Sequence, residues 1–325
     1  MLKAYDYIEY SENAIQAFHI RHFDEELQIA EALVKKLTEV ANKTASNASC
    51  QCGQERLPLF FTKWGIDYCR CPKCKTVVAD ASKELVIDYK NNQNMINFRT
   101  SEEYQAEAAA RREKSWEELL NWVCFRTFRY LRKREFNIID YGSRYSMLSQ
   151  RIEESKFCES YEIRDSIMSY NAKKPLPNGA KADIVLNLNN LQQSVDPVKD
   201  IRLAGEGLRK GGLMFFSTRI GTGFDILTLR EHSKIYPFEH VFLPSMMLLS
   251  DIFAKAGYKV LETTTPGMLD TLFVKDNESK IREDELFVKY MMSHCDVAVL
   301  QDFQRFLQKS SLSSYTQIVV RKEAD

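Results

Sequence analysis

Apolar residues recur at Ile29, Leu33, Leu37 and Val40 within the stretch 24–43, a spacing that predicts an amphipathic helix. A polar run from Asn42 to Ser49 ends it. Short apolar runs around Thr76–Val78 and Leu85–Ile87 predict strands. From Ser101 to Glu135 the chain reads as helix, rich in Ala, Glu and Arg, with an aromatic and aliphatic face between Trp116 and Leu131. The texture then changes. Strands are expected at Asn137–Asp140, Asp183–Asn187, Leu213–Ser217, Tyr258–Glu262 and Gln317–Val320, and helices at 145–155, 196–209, 245–256 and 283–309. Such alternation means βαβ units and a mostly parallel sheet. The expected fold is α/β: a Rossmann-like sheet with flanking helices over 101–325, carrying a helical insertion before its last strand. A helical segment and a small cysteine-bearing module over 1–100 precede it.

At 325 residues the chain has room for one large and one small domain. Its apolar share of 44% and charged share of 28% are those of a soluble globular protein. Formal net charge is zero, so no overall field draws the chain to nucleic acid, and no nucleic-acid partner is expected. No apolar stretch approaches bilayer-spanning length, and Asp6, Glu9 and Glu12 do not fit a signal peptide. A cytoplasmic location is expected. The basic run Arg126, Arg129, Arg132, Lys133 and Arg134, interleaved with Phe125, Phe128 and Tyr130, fits the solvated face of an amphipathic helix better than a nucleic-acid patch.

Five of the eight cysteines fall between positions 50 and 74. A secreted disulfide framework would spread them, whereas a tight cluster points to metal. Cys50 and Cys52 form one close pair and Cys71 and Cys74 another, with a stretch bearing Phe60, Phe61, Trp64 and Tyr68 between them. Four thiolates so arranged suit a tetrahedral Zn²⁺, and four sulfur ligands leave no open position for chemistry. A structural zinc ion is expected. A reduced cluster without metal and a catalytic zinc are the competing readings, and Cys69 is a spare thiol that could replace one ligand.

The stretch Phe136-Asn-Ile-Ile-Asp140-Tyr-Gly142-Ser-Arg-Tyr-Ser is a strand, an acidic residue and a turn opening a helix. It resembles the first motif of class I S-adenosylmethionine-dependent methyltransferases. Asp183-Ile-Val-Leu-Asn-Leu-Asn-Asn-Leu resembles that family's fourth strand. Leu208-Arg-Lys-Gly-Gly-Leu-Met-Phe-Phe-Ser resembles its Gly-Gly turn and fifth strand, and Gly257-Tyr-Lys-Val-Leu-Glu its sixth. Thr222-Gly-Phe-Asp225, Pro237-Phe-Glu-His240, Thr265-Pro-Gly-Met-Leu-Asp270 and Ser313-Ser-Tyr-Thr together resemble a bacterial subgroup with an N-terminal zinc module, associated with surface polysaccharide and related glycan biosynthesis.

The resemblance implies S-adenosylmethionine as cofactor, held by Asp140, Gly142, Ser143, Glu162 and Asn187. It implies a small-molecule or glycan substrate met by Arg219, Asp225 and Asp270, with methyl transfer to a hydroxyl and His240 as the base. The competing readings make His240 a structural hydrogen-bonder, the favoured role on the residues alone, Asp225 a helix cap, and Arg219 one half of an ion pair. The sequence departs from the family where Arg144 and Ser146 replace glycines, and where only twenty residues separate Glu162 from Asp183, too few for the usual third strand. Asn189, Asn190 and Gln192 stand where a Glu-x-x-x-His feature is common. These departures define the rival reading, a methyltransferase-like protein that has lost methyl transfer and serves as a binding or partner subunit. A zinc-ribbon nucleic-acid binder is disfavoured by the neutral charge.

Overall fold

The computed structural model describes residues 21–40, 48–141, 145–164 and 171–323. Helix α1 (Arg21–Val40) leads into an antiparallel hairpin, β1 (Leu59–Lys63) and β2 (Ile66–Arg70), followed by β3 (Val77–Ala79). Helices α2 (Lys83–Lys90), α3 (Gln93–Thr100) and the long α4 (Glu102–Leu131) come next. The α/β part then runs β4 (Phe136–Tyr141), α5 (Ser146–Glu154), β5 (Cys158–Arg164), β6 (Ala182–Leu188), α6 (Pro197–Ala204) and β7 (Leu208–Arg219). It continues through α7 (Phe224–Leu229), β8 (Phe242–Leu243), α8 (Met246–Lys255), β9 (Tyr258–Thr264), α9 (Asp270–Asp276), α10 (Leu286–His294), α11 (Val297–Lys309) and β10 (Tyr315–Lys322).

The main sheet has the order β5-β4-β6-β7-β10-β9. Strands β5, β4, β6 and β7 are parallel neighbours, and β10 lies antiparallel between β7 and β9. The expected α/β fold with a mostly parallel sheet is therefore present. Each central strand is apolar on both faces because helices cover both. In β7, Leu213 and Phe215 belong to the cluster under α4 and α5, where Trp122 meets Phe215 edge-on at 5.0 Å. Met214 and Phe216 belong to the opposite cluster, where Phe216 meets Phe253 of α8 at 4.8 Å.

Several expected elements differ. The run Leu85–Ile87 lies in α2, because the Ser82 hydroxyl accepts from the Leu85 N–H and caps a helix there. The expected helix 196–209 stops at Ala204, and Leu208 opens β7. The span 283–309 is two helices: Asp296 caps the second by accepting from Val299 N–H at 3.0 Å. No strand intervenes between β5 and β6 among the described residues.

The cysteine-bearing sheet has the order β1-β2-β3-β8. Its last strand comes from the α/β part: Val77 pairs with Leu243 and Val78 with Phe242. One apolar cluster joins Tyr68 and Val77 to Met214, Phe216 and Phe253, so core packing runs across position 100 without a break.

Candidate functional site

Cys50, Cys52, Cys71 and Cys74 bring their sulfurs within 4.8 Å of one another, with Cys50 to Cys74 at 3.4 Å and Cys52 to Cys71 at 3.6 Å. Metal–sulfur bonds of about 2.3 Å give a tetrahedron with edges of about 3.8 Å, so the donor set can hold one metal ion. The knuckle is shaped by a backbone bond, the Cys74 N–H donating to the Cys71 sulfur at 3.4 Å. Burial pushes the Cys71 thiol up, but the Cys74 and Lys73 amides outweigh it and draw it down to about 7, toward the ligating thiolate. Cys69 stands outside the group, buried in β2 opposite Leu59 and Val78.

Parallel α/β sheets bind ligands beyond the carboxyl ends of their strands, where the chain order reverses. Here that point lies between β4 and β6, since β5 follows β4 on one side and β6 flanks it on the other. Asp140, at the end of β4, is 1% exposed, and its Oδ2 accepts from the Tyr161 hydroxyl at 2.7 Å. Asn187 of β6 stands level with Tyr141. Its side-chain Oδ1 is buried with no hydrogen-bond partner among the described residues. A buried acceptor left open costs about 1–3 kcal/mol, which a ligand donor at this crevice would offset. Asn190, one turn on, donates its amide to the Tyr141 carbonyl at 3.0 Å.

Gly142 and Ser143 lie outside the described residues. Tyr145, just beyond, is buried against α4, stacked on Tyr104 at 6.4 Å and tilted on Trp116 at 5.7 Å. Glu162 sits on β5, level with Ile139, and pairs with Arg164 of the same strand at 2.6 Å. Both side chains are 35% exposed, so this pair contributes at most about 1 kcal/mol and yields readily to a ligand.

The three candidate substrate residues converge. Arg219, the last residue of β7, contacts the buried Asp225 carboxylate of α7 and donates to Ser314 Oγ at 3.2 Å. Ser314 in turn donates to Asp270, which also accepts from Ser313 at 2.5 Å, from the Ser314 N–H at 3.1 Å and from Gln304 at 2.8 Å. The chain can approach this closely because a Cβ on Gly223 would sit 2.2 Å from the Ser314 Cβ, and one on Gly267 would sit 2.1 Å from the Ser313 Oγ. Burial lifts the Asp225 carboxyl above its ordinary range; Arg219 opposes the shift and the Asp270 carboxylate adds to it. Among the described residues, the Arg219 Nε and Asp225 Oδ1 have no hydrogen-bond partner.

His240 is buried, 6% exposed, with both ring nitrogens engaged. Its Nδ1 meets the Tyr236 backbone, with Tyr236 N at 2.9 Å, and its Nε2 meets the Gln192 amide at 3.1 Å. Gln192 passes the link on by accepting from the Arg219 N–H at 2.9 Å. His240 thereby joins the turn after β6, the end of β7 and the 236–240 loop.

Beside it lies a buried charge cluster that the sequence does not announce. Arg99 of α3 pairs with Glu26 of α1 at 2.7 Å and with Glu239, which also accepts from the Tyr89 hydroxyl at 2.8 Å. Burial alone would pull the Arg99 guanidinium down; Glu239 and Glu26 reverse this and hold it well above its ordinary value. A small cavity lined by Glu26, Arg99, Tyr236 and Glu239 has room for roughly one water. Far from these groups, Arg126 of the basic run pairs with Glu262 at 2.9 Å. No helix among the described residues is long and apolar enough to cross a membrane.

No known family model matches the chain, and no curated protein matches it. Solved structures do resemble it. The O-methyltransferase of a trans-AT polyketide synthase from Brevibacillus brevis, in complex with S-adenosyl-L-homocysteine, is 14% identical with a TM-score of 0.35, over 70% of this chain and 78% of that one. The plantazolicin methyltransferase BpumL, in complex with a triazolic desmethylPZN analog and S-adenosylhomocysteine, is 8% identical with a TM-score of 0.40, over 74% and 95%. The cyclase SpnF is 11% identical with a TM-score of 0.37, over 62% and 80%. By its own strand pairing the chain is an α/β protein with a mostly parallel six-stranded sheet, and a four-cysteine cluster lies near its N-terminus.

Proposed function

We propose that this chain is an S-adenosylmethionine-dependent methyltransferase acting on a hydroxyl of a sugar or glycan precursor, with a structural zinc ion on Cys50, Cys52, Cys71 and Cys74. The observation that carries the reading is the open acceptor of Asn187, buried at the switch point of the sheet beside Asp140. Asp140, Asn187 and Glu162, with Gly142 and Ser143, would hold the cofactor, which supplies an electrophilic methyl group when bound. Arg219, Asp225 and Asp270 gather where a polyhydroxylated acceptor would be met, and the open atoms on Arg219 and Asp225 suit its hydroxyls. His240 would take the hydroxyl proton on Nε2, the nitrogen now facing Gln192. The test is calorimetric titration of the zinc-loaded chain with S-adenosylmethionine and S-adenosylhomocysteine, followed by an assay for methyl transfer to hydroxylated acceptors.

A second reading, a methyltransferase-like binding or partner subunit without methyl transfer, is favoured by the Glu162–Arg164 pair, which engages the one acidic side chain of β5 assigned to the cofactor. Absence of cofactor binding by a folded, zinc-loaded sample would select it.

A further inference from the structure

A second group of open polar atoms lies away from the carboxyl crevice, where the cysteine-bearing hairpin meets the turn after α7. Phe60 of β1 is contacted by two guanidinium groups: Arg70 of β2 at 5.3 Å and Arg230 at 4.9 Å from the ring centroid. Like charges gathered on one ring repel unless an anion joins them. No carboxylate lies within ion-pair reach of either arginine among the described residues, and the Nε atom of each is buried without a hydrogen-bond partner. Glu285 acts on Arg230 only from beyond contact.

Backbone shape points the same way. Arg230 holds φ +50 and ψ −113, a conformation that costs a non-glycine residue energy and is kept where surroundings demand it. The turn is fixed by Ser233, whose N–H donates to the Arg230 carbonyl at 2.9 Å. Lys63 of β1 in turn donates its ammonium to the Ser233 carbonyl at 2.6 Å, although the side chain is only 8% exposed. Lys234 follows directly, with its ammonium over the Phe273 ring at 4.7 Å. Glu231, the acid of this turn, is half-exposed and lies 3.7 Å from His232.

We infer that the seam between the β1–β2 hairpin and the turn opened by Arg230 binds a phosphoryl anion, with Arg70 and Arg230 as its planar donors. Guanidinium groups match tetrahedral oxyanions through paired N–H donors, and Phe60 fixes the plane of both. The inference is independent of the cofactor crevice, which uses none of these side chains.

The test titrates inorganic phosphate, pyrophosphate and glucose 1-phosphate into the zinc-loaded full chain at constant ionic strength, read by calorimetry. Saturable one-to-one binding is expected, weakened at least tenfold in Arg230→Gln and in Arg70→Gln, with zinc content unchanged in both. Tighter binding of the monoester than of inorganic phosphate would support an organic phosphate as the ligand, and equal binding the free ion. No saturable binding of any of the three, or undiminished binding by both variants, would overturn the proposal. Since Arg70 adjoins the zinc ligand Cys71, Arg230→Gln decides the matter if Arg70→Gln loses metal.

Discussion

The side-chain amide of Asn190 donates to the backbone carbonyl of Tyr141 at 3.0 Å, tying the turn after β6 to the end of β4. This tie holds open the position at which Asn187, level with Tyr141, presents its unpartnered acceptor. The two asparagines therefore have opposite expected phenotypes. Asn187→Leu removes an open buried polar atom and should leave stability unchanged or raise it, while weakening S-adenosylhomocysteine binding at least tenfold. Asn190→Ala should cost about 1 kcal/mol in urea unfolding. An Asn187→Leu protein that is destabilised yet binds normally would show that Asn187 is structural.

Metal and fold are coupled through Thr76. The Cys74 thiol lies 3.3 Å from the Thr76 hydroxyl, which accepts from the Ser245 N–H at 3.0 Å, and Ser245 caps α8. At the other end of α8, Lys255 donates to the Gln51 carbonyl at 3.1 Å. Cys71→Ser should lose zinc and lower the stability of the whole chain in a single transition, by more than about 3 kcal/mol given apparent zinc-binding energies of about 10–16 kcal/mol. Thr76→Val should cost about 1–3 kcal/mol by leaving the Ser245 amide unpaired, and Thr76→Ser should restore most of it. Two separated thermal transitions in the Cys71→Ser protein would contradict the coupling.

Asp270 accepts from Ser313, Ser314 and Gln304 at once. Asp270→Asn replaces part of that acceptor with donors, and should cost on the order of 3 kcal/mol, since hydrogen bonds to charged groups contribute about 1.5–3 kcal/mol each. It should also let the Asp225 carboxyl fall, because the neighbouring negative charge is gone. Denaturant unfolding measures the first effect, and carboxyl titration by NMR the second.

The contribution of Lys63 and Lys234 to stability should rise from pH 8 to pH 10, read as the difference between the wild-type chain and its lysine variants. Burial lowers the Lys63 ammonium from 10.5 to about 8, and Arg219 on β7 adds to this against Glu31 on α1, Glu231 and Asp225. Lys234 is lowered to about 8 for the same two reasons, burial first and Arg219 second. Between the folded and unfolded values the unfolded chain binds more protons, so unfolding free energy increases with pH in that window. Lys63→Met should flatten part of the slope.

Much of the fold is legible because its signals are local. The doublets Leu213–Met214 and Phe215–Phe216 mark a strand buried on both faces, and the two cysteine pairs mark their own convergence. The run Leu85–Ile87 is too short to distinguish strand from helix without weighing the Ser82 cap. The pairing of Val77–Val78 with Phe242–Leu243 escapes sequence reading, being two residues long and spanning more than half the α/β part. In the candidate site the sequence names Arg219, Asp225 and Asp270 separately, and only the chain's path shows that Ser314 joins them. Arg99 and Glu26 carry no sequence signal, since a charge becomes informative only once its burial is known. Asn190 and Gln192 stand out in the sequence solely as departures from the family pattern.

The most direct measurement is calorimetric titration of the zinc-loaded chain with S-adenosylhomocysteine. One site with a dissociation constant in the micromolar range is predicted, weakened at least tenfold in Asn187→Leu. A well-folded, metal-replete sample that takes up no ligand at millimolar concentration would contradict the assignment of the crevice between β4 and β6 as a nucleoside site.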